Sequence, residues 1–192
     1  RAMGWYGMAL VDMLDYLKTI RVRPVWQHAS DQVKAHFEKP VPLDPQPLEE
    51  IYMEFLENVL PYPLGNIHPC FWGWVCGTGT VLGALAELLA ASMNPNAGGG
   101  DHHSANHVEK QVVDWFKEML GFPAAASGLL TSGCSAANLI GLTVARNTKA
   151  GFDLRREGIQ AAPHRMVLYA SQEIHSSIQK AVELLGLGSD AL

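Results

Sequence analysis

The sequence predicts an α/β protein in which a mainly parallel sheet is covered by helices and preceded by a helical N-terminal arm. Three observations lead there. Residues 129–130 are a short apolar run, 131–135 a small polar turn, and the stretch that follows to about Asn147 has no Pro, which reads as strand, tight loop, helix. The pattern repeats with a buried-type strand over 165–170 and a helix over 171–185 closed by Gly186. Alternating strand and helix is the pattern of a parallel sheet whose crossovers cover its faces. Upstream, two amphipathic stretches separated by prolines have few partners of their own and read as an arm.

In chain order, Leu10, Val11, Leu14 and Leu17 recur at helical spacing with Asp12, Asp15 and Lys18 between them. Trp5, Tyr6, Met8 and Met13 add more apolar surface than one stripe requires, so this helix is expected to pack on a larger body. Arg23-Pro24 ends it. Residues 41–47 form an extended linker, because each Pro disfavours helix at the residue before it, and a second helix covers 48–60. These elements define an arm over 1–66, with 67–192 as the first part of a larger, incomplete domain.

Next come His68-Pro69-Cys70-Phe71-Trp72-Gly73-Trp74 and a stretch with glycines at 77 and 79. Large flat side chains on a backbone that bends sharply suit the wall of a small-molecule pocket, and equally a core cluster where the arm joins the body. An apolar helix over 81–92 ends at Asn94-Pro95, a Gly-rich polar loop covers 96–106, and a helix over 108–120 stops at Gly121-Phe122-Pro123. His103 and His107 lie four apart beside Asp101 and His102, a spacing a metal can use. The flexible loop and the absence of a Glu where the zinc-protease helix motif needs its base argue against it, and no metal is expected. Residues 150–163 read as a surface connection.

Composition narrows the functions. Hydrophobic content of 48% with 17% charged residues indicates a substantial core in a chain of 192 residues. The 14 Lys+Arg against 19 Asp+Glu give −5 with no basic run, which argues against nucleic acid or an anionic membrane as partner. The longest apolar stretch, 81–93, is too short to span a bilayer and is interrupted by Gly83 and Glu87. Cys70, Cys76 and Cys134 are odd in number without paired metal spacing, so free thiols in a reducing cytoplasm are expected. Position 1 is Arg with no signal-peptide pattern, so the chain is expected to begin inside a longer one.

The most informative stretch is 128–138, Gly-Leu-Leu-Thr-Ser-Gly-Cys-Ser-Ala-Ala-Asn. Small residues let the backbone approach a ligand, and the first N–H groups of a helix are unpaired within it and lie at its positive end. Such a turn holds a phosphate, or is an ordinary βα turn capped by Ser or Thr. His175 follows the next strand in the same way. Ligands of parallel sheets sit beyond the C-terminal strand ends, where both features fall.

Taken together, His68-Pro69 with its aromatics, Val108-Glu109 with Asp114-Trp115, residues 130–138 with Ala145-Arg146, and Tyr169-Ala170-Ser171 with His175-Ser176-Ser177 resemble the pyridoxal-phosphate-dependent group II amino acid decarboxylases, the family of the aromatic-L-amino-acid and glutamate decarboxylases. The resemblance implies the large domain of a type I, aspartate aminotransferase-like fold and the cofactor pyridoxal 5′-phosphate (PLP). It implies that Gly133, Cys134 and Ser135 hold the phosphate and that His175 stacks on the pyridine ring as the catalytic histidine. Trp72 and Trp74 correspond to the substrate pocket, with Gly77 and Thr78 near the cofactor, serving the neighbouring subunit's site in a homodimer. Two positions depart from the family pattern: Ala136 stands where an acidic residue is usual, and Asp101-His102-His103-Ser104-Ala105 replaces a Ser-Pro-Ala segment.

The resemblance also implies an aspartate for the ring nitrogen and a Schiff-base lysine well after the histidine. Lys149 and Lys180 lack the family's context for that lysine, so both groups are expected from the remainder of the polypeptide or a second chain. The expected activity is decarboxylation of an L-amino acid. An aromatic substrate fits the apolar wall of Trp72 and Trp74, which carries no base for a side-chain carboxylate. Glutamate decarboxylation, another type I lyase or aminotransferase, and a silent dimerising fragment are the alternatives.

Overall fold

The structure, a computed structural model, describes residues 2–96, 98 and 103–192. The chain divides into two compact units, Arg1–Pro95 and Asn96–Leu192. Both are helical, and among the described residues no helix is long and apolar enough to cross a membrane.

In the first unit, α1 (Ala2–Thr19) and α3 (Leu48–Asn58) are joined by aromatic residues. The Tyr52 hydroxyl on α3 donates to Asp12 Oδ2 on α1 at 2.7 Å, and Trp5 meets the Tyr52 ring edge-on with centroids 6.2 Å apart. Burial, and then the Asp12 carboxylate, push the Tyr52 phenol up to about 12. A short helix α2 (Asp31–His36), absent from the sequence expectation, starts at Ser30, whose hydroxyl accepts from Val33 N, and pairs His36 with Glu54 of α3. The backbones at 25 and 65 nearly touch. A Cβ on Gly65, which has φ +87°, would lie 1.8 Å from the Val25 carbonyl oxygen, so only glycine fits there. Helix α4 (Val81–Met93) is opened by Thr80, whose hydroxyl accepts from Gly83 N at 2.9 Å, and ends in a left-handed Asn94.

In the second unit, α5 (Ser104–Leu120) ends at Gly121 with φ +67°, and Phe122 N donates back to the Lys117 carbonyl. One face of α5 holds the segment before the polar loop. Glu109 accepts from Leu130 N at 2.7 Å, and Val113, one turn on, lies so close to Gly128 that a Cβ there would sit 3.1 Å from its Cγ1. Lys117 adds a bond to the Ala124 carbonyl at 2.9 Å.

Helices α6 (Cys134–Lys149) and α8 (Ser176–Leu184) form the heart of this unit. Two hydrogen bonds join their matching ends: Asn138 Nδ2 donates to Ser177 Oγ at 2.9 Å, and Arg146 donates to the Leu185 carbonyl at 2.7 Å. Start is tied to start and end to end, so the helices run parallel. Ala181, Val182 and Leu185 are buried, Val182 completely. The expected surface connection over 150–163 contains a short helix α7 (Leu154–Glu157), capped by Asp153 and anchored by the buried Leu154.

The expected sheet is corrected by the structure: among the described residues there is no strand. Residues 128–132 and 165–170 run as irregular chain, and their backbone donors go elsewhere, Leu130 N to the Glu109 carboxylate and Leu168 N to the Ala191 carbonyl at 2.7 Å. A parallel ladder requires a second strand at the hydrogen-bonding edge, whereas sequence pattern reports only side chains suited to one. Leu129, Leu130, Val167 and Tyr169 are accordingly exposed, Tyr169 at 94%. The α/β class read from the pattern therefore survives here as its helices and their order, without the sheet.

Asp114 accepts from Lys110 at 2.6 Å and from Lys117 at 2.8 Å, and these bonds hold its carboxyl down at about 2, below the ordinary 3.8. A carboxyl with a depressed folded pKa contributes stability that is present above the ordinary value and lost as pH falls through the folded one. Asp114→Asn is expected to flatten the loss of stability between about pH 4 and pH 2, read from denaturant midpoints against pH; an unaltered acid limb would contradict it. Glu109→Ala is expected to speed hydrogen exchange at the Leu130 amide by roughly fivefold, about 1 kcal/mol, while Glu109→Gln, which keeps an acceptor, restores most of the protection.

Candidate functional site

The second unit brings two features to one end. Helix α6 begins at Gly133 without a side-chain cap, whereas α2, α4, α5, α7 and α8 each have one. The amides of Cys134, Ser135 and Ala136 lack intrahelical acceptors by their position, and the Ser135 hydroxyl has no partner among the described residues. A Cβ built on Gly133 meets nothing within 4 Å, so the approach to these donors is open. Thr131 Oγ1 donates at 3.0 Å to the Gly133 carbonyl, which also accepts from Ala137 N at 3.1 Å, so this oxygen is occupied by the protein. No carboxylate lies between 128 and 138. A set of neutral N–H and O–H donors at a helix start, open to solvent and with no acidic side chain in the loop itself, fits a phosphate.

His175 stands at the matching start of α8 as its N-cap. Ser177 N donates to His175 Nδ1 at 3.2 Å, so this nitrogen is an acceptor and carries no proton in the neutral ring. Ser177 Oγ lies 3.0 Å from the same nitrogen and donates to it, while accepting from Asn138 Nδ2. The ring is thereby held as the Nε2–H tautomer, with the rest of its surface exposed. Asn138 Nδ2 is also 3.6 Å from Cys134 Sγ, which links the first residue of α6 to the histidine through two side chains.

Parallel packing explains this meeting. The starts of α6 and α8 lie at one end, so Gly133, Cys134, Ser135 and His175 belong to one local constellation. Sequence reasoning named those four and missed Asn138, Ser177 and Glu109 as working side chains. The signal was present: Asn138 lies one helical turn after Cys134, and Ser177 two residues after His175, both within the quoted motifs.

The other expected residues lie in the first unit. Trp72 is 91% exposed and Trp74 80% exposed, and Trp74 has φ 53°, a left-handed conformation unfavourable for a bulky residue. Phe71 packs against Gly73, where a Cβ would meet the ring at 3.2 Å, and tilts against Trp74 with centroids 6.2 Å apart. Gly77 accepts from Asn66 Nδ2 at 2.8 Å, and Thr78 borders a cleft with His68, Arg21 and Val81. His68 Nδ1 accepts from Cys70 N at 3.0 Å, while its buried Nε2 has no partner among the described residues. His103 accepts from Ala105 N as the cap of α5; Asp101 and His102 lie outside the described residues.

Residues 31–192 match the family described as the pyridoxal-dependent decarboxylase conserved domain. The chain is 31% identical to an aromatic-L-amino-acid decarboxylase of Bacillus atrophaeus over 97% of its own length and 37% of the relative's. It is 26% identical to tryptophan decarboxylase 2 of Oryza sativa subsp. japonica, over 96% of this chain and 38% of that one. The chain thus spans little more than a third of the length of these relatives. The crystal structure of Rhodiola rosea 4-hydroxyphenylacetaldehyde synthase superposes with a TM-score of 0.81 at 24% identity, over 100% of this chain and 42% of that one, a likeness of fold. With the match extending from residue 31 to residue 192, the chain belongs to the pyridoxal-dependent decarboxylase family.

Proposed function

We propose that the protein containing this chain decarboxylates an aromatic L-amino acid with PLP, and that this chain supplies the phosphate loop and the ring-stacking histidine. The observation that carries the proposal is the meeting of the uncapped α6 start with His175 at one end of two parallel helices. Bound PLP supplies the electron sink that lets an amino acid lose carbon dioxide. The amides at Cys134 and Ser135, the open backbone at Gly133 and the Ser135 hydroxyl bind its phosphate. His175 would lay its flat ring on the pyridine, and its Nε2–H would be the proton it holds beside the bound group.

Trp72 and Trp74 offer an exposed apolar wall to an aromatic side chain, with Gly77 and Thr78 at the cofactor's edge. Their exposure fits service in the site of a second copy, as a homodimer requires. The arm over 1–66 and helix α4, with exposed Leu82, Leu85, Leu88 and Leu89, supply apolar surface for that partner and for further segments, which also contribute the aspartate and lysine of the site. Three free cysteines agree with a reducing cytoplasm. The aromatic-amino-acid relatives support the substrate class.

The test uses the holoenzyme that contains this chain. Tryptophan and tyrosine are expected to release carbon dioxide and glutamate is not; the reverse preference would overturn the substrate class, and absence of bound PLP would overturn the reading as a whole. Ser135→Ala is expected to raise the dissociation constant for PLP by about tenfold, the loss of one hydrogen bond to a charged group. His175→Ala is expected to lower turnover by about 100-fold with PLP affinity nearly unchanged. If loss of cofactor accounted for the lost activity, the stacking role would be wrong.

A further inference from the structure

We propose that Asn138 and Ser177 are positioning residues: together they set the tautomer and the ring plane of His175 and tie that ring to the phosphate-binding end of α6. The inference rests on the reading of His175 given above, and its geometry is independent of any ligand.

Ser177 is only 5% exposed. A buried hydroxyl needs a partner for its proton and a partner for its lone pairs. The lone pairs accept from Asn138 Nδ2 at 2.9 Å, so the proton is left for His175 Nδ1 at 3.0 Å. Each bond fixes the sense of the next. Because the Asn138 amide donates, the hydroxyl must donate onward, and Nδ1 must accept. The imidazole then has its N–H at Nε2, away from the helix and toward solvent. The bond from Ser177 N, at 3.2 Å, is the longer of the two to Nδ1; the hydroxyl adds a second donor to the same nitrogen, and the pair hold it as an acceptor more firmly than the backbone bond alone.

The relay also couples two parts of the site. Asn138 is half-buried, sits one turn after Cys134 and reaches its sulfur at 3.6 Å. A shift of the α6 start therefore moves the donor that sets Ser177, and with it the histidine. Arg146, which ties the other ends of the same helices, has no such path to the ring.

The experiment compares Ser177→Ala, Ser177→Thr, Asn138→Ala and, as a control for helix docking, Arg146→Met. Two-bond nitrogen–proton NMR of the imidazole in the apoprotein reads the tautomer without cofactor. The circular dichroism of bound PLP and the separate kcat and KM read its setting in the holoenzyme. Wild type is expected to show the Nε2–H form of the neutral ring. In Ser177→Ala and Asn138→Ala the longer backbone bond to Nδ1 remains but the hydroxyl is lost or no longer fixed as a donor, so each is expected to admit a measurable fraction of the Nδ1–H tautomer, with weaker cofactor dichroism and about tenfold lower kcat with KM within about threefold. The double variant is expected to lose no more than either single one, because both act through one contact. Ser177→Thr, which keeps the hydroxyl, is expected to restore the tautomer.

Arg146→Met is expected to lower thermal stability and leave tautomer and dichroism unchanged. A wild-type tautomer in both Ser177→Ala and Asn138→Ala, or an equal effect of Arg146→Met, would overturn the proposal. Should Ser177→Ala not fold, Asn138→Ala alone decides by the same readouts. A tautomer that responds as described in a protein that does not bind PLP would support the positioning role and overturn the cofactor reading.

Discussion

The second unit depends on one buried hydroxyl. Ser177 sits where α6 and α8 meet at their starts, and a polar atom enclosed there without partners would cost about 1–3 kcal/mol. Its two bonds can be made in one register. The second tie, from Arg146 to the Leu185 carbonyl, lies eight residues further along each helix, so sliding either helix by a turn would break both. Apolar contacts at Ala181, Val182 and Leu185 favour close packing of the pair, but they are tolerant of small slips in a way that hydrogen bonds are not. Burial supplies the attraction and the two polar ties choose the alignment.

That alignment has an electrostatic consequence. Parallel helices present their positive ends together, so the start of α6 and the start of α8 reinforce one another in attracting negative charge. The two ends are finished differently. At α8 the cap is the imidazole of His175, a neutral acceptor that satisfies an amide and stays in place. At α6 the corresponding position is Gly133, which has no side chain to offer and leaves the amides available to an external anion. One end is closed by the protein and the other is left open to a ligand, side by side.

Much of this was legible in the sequence, and the failures are of one kind. The helices over 4–19, 48–60, 81–92 and 108–120 were readable because amphipathic period, Pro and Gly act locally. The small-residue turn at 131–135 and the position of His175 were readable because a helix start has a local composition. What escaped was every feature that depends on a partner far along the chain. Glu109 gives no sign in sequence that its carboxylate will hold the Leu130 amide, and Asn138 none that it will meet Ser177. The strand-like runs at 129–130 and 165–170 fail for the same reason, since β-type side chains specify a surface while the ladder requires a neighbour. Helix α2 escaped because it is short and owes its place to the Ser30 cap and the pairing of His36 with Glu54.

The same distinction governs the aromatic segment of the first unit. Trp72, Trp74 and Val75 are held by few contacts, and Trp74 adopts a left-handed backbone that costs about 1 kcal/mol or more for a bulky residue. Such a conformation persists only when surroundings impose it. The helix that follows, α4, carries Leu82, Leu85, Leu88 and Leu89 on one face, all substantially exposed, and an apolar stripe of that kind is stable when covered. Its start at Thr80 is only six residues beyond Trp74, so a surface that buries α4 also fixes the loop from which the two tryptophans project. Ordering of the aromatic wall and coverage of α4 are thereby one event, whereas the loop at Gly133 and the ring of His175 are already aligned by contacts within their own unit.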